Sequence, residues 1–103
     1  MKPPSRIHTG TFRFEANDPI YKDHFPGQPV VPGSLIVQAF ATAAKSLPVP
    51  FEAATVSEFR FKRFVTPGTY AYRLELRDDG EKGDAWYCRL LDGDQTVVSG
   101  VLT

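Results

Sequence analysis

Ser34-Leu35-Ile36-Val37-Gln38-Ala39-Phe40-Ala41-Thr42-Ala43-Ala44-Lys45 contains neither proline nor glycine and is rich in alanine, so it reads as a helix. Pro32 and Gly33 mark its start and Pro48 its end. At 100° per residue its apolar side chains point in nearly every direction, and a helix that is apolar all round has to be wrapped by the rest of the protein. Gln38 is one of its few polar residues and shares a face with Thr42, four positions on.

Away from this helix the period changes from 3.6 to two. Upstream, Thr11-Phe12-Arg13-Phe14-Glu15 alternates apolar and polar residues as a half-buried strand does. Downstream, Phe59 and Phe61 oppose Arg60 and Lys62. Tyr70, Tyr72, Leu74 and Leu76 oppose Ala71, Arg73, Glu75 and Arg77, and Trp86, Cys88 and Leu90 alternate with Tyr87, Arg89 and Leu91. Residues 97–102 make a last strand. The joints are turn chemistry, at Thr66-Pro67-Gly68-Thr69, at Asp79-Gly80 with Glu81 to Asp84, and at Asp92-Gly93. Such short connections make antiparallel hairpins rather than crossovers. One helix and about five antiparallel strands therefore predict an α+β domain in which a curved sheet wraps the helix. Residues 1–103 read as one domain, with residues 1–10 as a polar lead. Between the first strand and the helix, Pro19, Pro26, Gly27, Pro29, Pro32 and Gly33 stiffen an extended loop. A sheet this small leaves an edge open, and pairing edges in a dimer is the usual remedy.

The chain has 103 residues, enough for one core and not two. Twelve Lys+Arg balance twelve Asp+Glu, so there is no general field for nucleic acid or an anionic membrane. The balance is uneven along the chain: residues 1–65 carry eight basic and five acidic side chains, residues 66–103 four and seven. The basic excess concentrates in Arg60, Lys62 and Arg63. Cys88 is the single cysteine and lacks the companions of a disulfide or a zinc site, which points to a reducing, cytoplasmic setting. No secretory signal or membrane-length apolar run is legible, and no metal cluster, phosphate loop or dinucleotide motif implies a metal or redox cofactor.

Two histidines are available. His8 lies in the polar lead and reads as a surface residue. His24 stands in Asp23-His24-Phe25-Pro26-Gly27-Gln28-Pro29-Val30-Val31-Pro32-Gly33, where prolines and glycines restrict the backbone around a side chain that titrates near neutrality. A positioned general base needs that combination. Gly33 opens the helix, so either its N–H is a free donor that can polarise a carbonyl, or the residue simply permits a sharp turn into the helix. Base and donor together suit proton abstraction α to a carbonyl.

His24 to Ile36, followed by Gln38-Ala39, strongly resembles the signature of the hotdog-fold β-hydroxyacyl-[acyl-carrier-protein] dehydratases of fatty acid synthesis. Residues 59–68, Phe-Arg-Phe-Lys-Arg-Phe-Val-Thr-Pro-Gly, are similar to the strand and Pro-Gly turn that follow the helix in that family, and the likeness runs from about residue 12 to 103. It implies a hotdog fold and a dimer with its active sites at the interface. The substrate would be an acyl thioester on a carrier protein or coenzyme A, its chain beside the helix. His24 falls on the catalytic histidine and Gly33 on the glycine whose N–H holds the thioester carbonyl. Phe25, Pro32, Ser34, Phe40 and Thr42 are expected along the substrate, and Arg60, Lys62 and Arg63 at an acidic carrier.

One departure matters. The family has Glu or Asp where this chain has Gln38, which can hydrogen-bond a hydroxyl but holds no titratable proton. Asp23 is the nearest carboxyl in sequence, and Thr42 stands where the family often has glutamine. Three functions follow from the resemblance: a dehydratase acting as a homodimer, an accessory subunit completing a heterodimer with another hotdog protein, and, ranked third, a thioesterase.

Overall fold

In the computed structural model, residues 7–15, 30–47, 56–78 and 83–103 are described. They form β1 (Ile7–Phe14), α1 (Gly33–Lys45), β2 (Val56–Phe61), β3 (Gly68–Asp78), β4 (Asp84–Asp92) and β5 (Gln95–Leu102). The five strands make one antiparallel sheet in the order β1-β3-β4-β5-β2, with α1 against one face. The α+β expectation holds, strand for strand. β1 begins at Ile7, so the stretch read as a polar lead already pairs with β3, Ile7 opposite Glu75 and His8 opposite Leu74. Here apolar Ile7 is exposed while His8 and Gly10 face the sheet's covered side, which hides the alternation. The proline-rich loop, the Asp79-Gly80 turn, His24 and Phe25 lie outside the described residues.

The period-two residues do as expected. Leu74, Leu76, Trp86, Cys88, Leu90, Val98 and Leu102 are buried, while their neighbours Arg77 and Arg89 are exposed. β4 and β5 join through a two-residue loop in which Gly93 has φ 61°, as the first central position of a II′ hairpin turn requires.

α1 buries Ile36, Phe40 and Ala44, an i, i+4, i+8 stripe. Phe40 is the keystone of the core. Its ring meets Phe12 edge-on at 5.1 Å, Tyr72 edge-on at 6.2 Å and Phe59 at 6.1 Å, favourable geometries for aromatic quadrupoles. The other apolar residues of the helix, Leu35, Val37, Ala39, Ala41 and Ala43, remain half-buried. This chain's own sheet thus covers the helix along one stripe and leaves apolar surface on its flanks.

Two glycines exist because a ring needs their space. On β1, Gly10 pairs with Tyr72, and a Cβ there would meet the tyrosine hydroxyl at 2.7 Å. On β5, a Cβ at Gly100 would overlap the ring of Phe59. Phe59 reaches that position through a bulge: Ser57 pairs with Val101 and Arg60 with Ser99, so Glu58 and Phe59 both stand opposite Gly100, and Glu58 takes φ 54°. The bulge turns Phe59 inward to Phe40 while Glu58 and Arg60 face out.

Candidate active site

In the first turn of α1 the leading N–H groups have no acceptor among the described residues. Its N-cap is Pro32, whose side chain makes no capping hydrogen bond, and no acidic residue lies in that turn. The Pro32 carbonyl accepts from Leu35 N (3.0 Å) and Ile36 N (3.3 Å), which leaves the N–H groups of Gly33 and Ser34 at the positive end of the helix without an intrahelical acceptor. The chain is steered into this position by Val31, whose N–H donates to the Val65 carbonyl at 2.7 Å.

Beside this turn is a depression of about 270 Å³ bounded by Pro32, Gly33, Ile36, Phe61, Phe64 and Val65, with Arg63 at its rim. Phe61 is 44% and Phe64 77% exposed, an unusual display of aromatic surface. Phe61 is expected on a strand and Phe64 only within the family likeness of residues 59–68; the signal for an exposed aromatic pair is three phenylalanines interleaved with three basic residues at the end of β2.

A second, larger groove of about 490 Å³ runs between α1 and β1. Leu35, Ala39 and Ala43 from the helix and Phe12 and Phe14 from the strand make it apolar. Gln38 and Thr42 supply polar groups on the helical side, and Arg13 and Glu15, paired at 2.9 Å, sit at its edge.

The predicted site residues are therefore distributed unevenly. Gln38 and Thr42 come together on the larger groove, and Pro32 and Gly33 on the smaller depression. Ser34 is exposed on the helix's first turn. Phe40 is 0% exposed and lines neither hollow: its place behind the groove is structural, since the i, i+4 stripe through Ile36 points it at the sheet. Arg60, Lys62 and Arg63 do not gather into one patch. Arg60 points from the sheet's outer face, Lys62 is exposed with its N–H bonded to the Val97 carbonyl at 2.9 Å, and Arg63 is ion-paired with Asp92. His8, read as a surface residue, is half-buried on β1 with its ring edge-on to Trp86 at 5.8 Å.

Cys88 is 1% exposed, and burial pushes its thiol up to about 12, so it acts as a core hydrophobe rather than a nucleophile. No helix among the described residues is long and apolar enough to cross a membrane. Among the described residues no three His, Cys, Asp or Glu side chains gather as a metal site.

A five-stranded antiparallel sheet on one long helix is the hotdog architecture, and comparison with solved structures agrees. The Xenorhabdus doucetiae dehydratase heterocomplex ApeI:P aligns with a TM-score of 0.71 at 21% identity, covering 100% of this chain and 90% of that one. A variant of the fluoroacetyl-CoA-specific thioesterase FlK aligns at 0.61 and 17%, covering 99% and 85%. The family model for ApeI-like proteins, described as ApeI dehydratase, matches residues 2–101, and the chain belongs to that family. Curated relatives include the 3-hydroxyacyl-[acyl-carrier-protein] dehydratases FabZ of Legionella pneumophila, 38% identical over 81 residues (68% of this chain, 53% of the relative), and of Acidiphilium cryptum, 33% identical over 93 residues (81% and 56%). The chain spans about half the length of the curated relatives it matches.

Proposed function

We propose that the protein binds a 3-hydroxyacyl thioester, on a carrier protein or coenzyme A, and takes part in its dehydration to the enoyl thioester. The observation that carries this reading is the start of α1, where the N–H of Gly33, without an acceptor among the described residues, opens beside an apolar depression. Backbone donors held there stabilise the negative charge that develops on a thioester carbonyl oxygen when the α-proton is removed, and they need no reorganisation to do so. His24 is the base assigned to that proton, and departure of the β-hydroxyl as water completes the enoyl product. Arg63, at the rim of the depression, and Lys62 next to it would meet an acidic carrier.

Gln38 decides how the site is completed. Five residues beyond Gly33, it is rotated about 140° around the helix, and the two residues open onto different hollows. A thioester held at Gly33 therefore faces away from the same helix's Gln38. A site shared between two hotdog subunits resolves this, with one chain supplying His24 and the other the helix. With Gln38 in place of a carboxyl, the reading favoured is a heterodimer whose second hotdog subunit carries the acid. The structural neighbour named as a dehydratase heterocomplex and the half-covered flanks of α1 both support it.

The test is enoyl formation from a 3-hydroxyacyl thioester, followed for the purified chain alone and after mixing with a hotdog subunit that has the carboxylate. Turnover only in the mixture, lost on His24→Ala in this chain, is the expected result. Full turnover by the chain alone rejects the heterodimer, and no turnover in either case rejects dehydration.

A further inference from the structure

The sheet face turned away from α1 carries a cross-strand row that neither the core nor the proposed thioester site uses. Register places Arg73 of β3 opposite Arg89 of β4, Arg89 opposite Ser99 of β5, and Ser99 opposite Arg60 of β2. Their strand neighbours Leu74, Cys88, Leu90 and Val98 are buried beneath α1, so the row lies on the opposite face. Arg77 extends it, its guanidinium 4.2 Å from the centre of the Tyr87 ring.

Stability does not explain this arrangement, because like charges directly opposite each other on paired strands are unfavourable. Glu75 answers part of the charge: it accepts from Arg77 and lies 3.6 Å from Arg73, and these arginines hold its carboxyl below the usual range. Arg60 and Arg89 have no ion pair among the described residues. They flank the small Ser99 across two strand spacings, about 10 Å between backbones, around a hollow of about 260 Å³. Glu58, turned outward by the β2 bulge, borders the same hollow.

We propose that this hollow binds a polyphosphate group of a small molecule. Arg60 and Arg89 approach from opposite sides as planar donor forks, a geometry suited to phosphoryl oxygens, and the Ser99 hydroxyl donates from the floor. Arg73, one strand further, meets a second phosphate along the row. Two guanidinium groups beside the single Glu58 carboxylate leave the hollow net positive, which favours a ligand with more than one negative charge, and Glu58 itself weakens binding.

The probe is pyrophosphate, titrated calorimetrically into the full chain at low salt. Arg60→Gln and Arg89→Gln are each expected to weaken binding by about fivefold or more, and Glu58→Gln to tighten it by about fivefold, the scale of one charge at contact distance in water. Lys45→Gln, a control in the last turn of α1 away from both hollows, leaves binding unchanged. All four side chains are exposed, and circular dichroism confirms that the variants stay folded. Binding that is absent in wild type, or equal in wild type and Arg89→Gln, overturns the proposal. So does a polyglutamate peptide that binds more tightly than pyrophosphate with the same variant sensitivity, which would make the face a dock for an acidic protein.

Discussion

The ring of Phe61 lies over Gly33 so closely that a Cβ on that glycine would stand 3.0 Å from its Cζ. The contact closes one side of the helix start, whose leading N–H groups are the proposed carbonyl donors. Phe61 is 44% exposed and can swing away. Gly33→Ala should therefore fold with a melting temperature within a few degrees of wild type, while turnover in the competent assembly falls by about 10²-fold, the scale of a substrate displaced by about 1 Å, because the added methyl crowds the approach to an N–H that the substitution leaves in place. Thermal unfolding and a thioester assay on the same preparations check both halves. A fall in stability with intact turnover would show Gly33 to be a packing residue.

Gln38 is exposed on the groove between α1 and β1, so changing it should not disturb the core. If the missing carboxyl limits the chain acting alone, Gln38→Glu should raise its enoyl-forming rate, by up to about 10²–10⁴-fold. The gained activity should follow an ionisation absent from wild type in the pH–rate profile. An unchanged rate would mean that this helix position does not face a substrate in the homodimer.

Gly100 and Phe59 form one packing unit, since the bulge of β2 presses the ring onto the only residue type without a Cβ. Gly100→Ala should cost about 1–3 kcal/mol through overpacking. In a Phe59→Ala background the same substitution should cost far less, because the ring is gone. A double-mutant cycle by urea unfolding measures the coupling, and additive effects would refute the contact.

The Cys88 thiol should resist iodoacetamide at pH 8 in the native protein and react readily in denaturant. Its pKa in the folded chain is about 12, against roughly 8.5 when unfolded. Between these values the unfolded chain releases a proton that the folded chain keeps, so stability falls as pH rises above about 8.5, by up to about 1.4 kcal/mol per pH unit from this group. Cys88→Ala should remove that component. Urea midpoints at pH 7.5 and 9.5 for both proteins test it.

Much of this architecture was legible in the order of residues. A Pro- and Gly-free alanine-rich run has one regular conformation that suits it, and strict alternation specifies which face of a strand is buried, so the helix, the five strands and most of the core follow from local pattern. The chemistry of the candidate site is local too: a histidine among prolines, a glycine at a helix start, a glutamine five residues on. Tertiary structure decided what periodicity cannot express. Pairing with β5 ends β2 at Phe61, so Arg60 stays on the sheet's outer face while Lys62 and Arg63 lie beyond the strand. Pairing with β3 draws residues 7–10 into the sheet. Helix rotation places Phe40 in the core, and it opens Gly33 and Gln38 onto separate hollows. Each of these depends on contacts between residues far apart in the chain, and for that physical reason a reading along one strand at a time does not reach them.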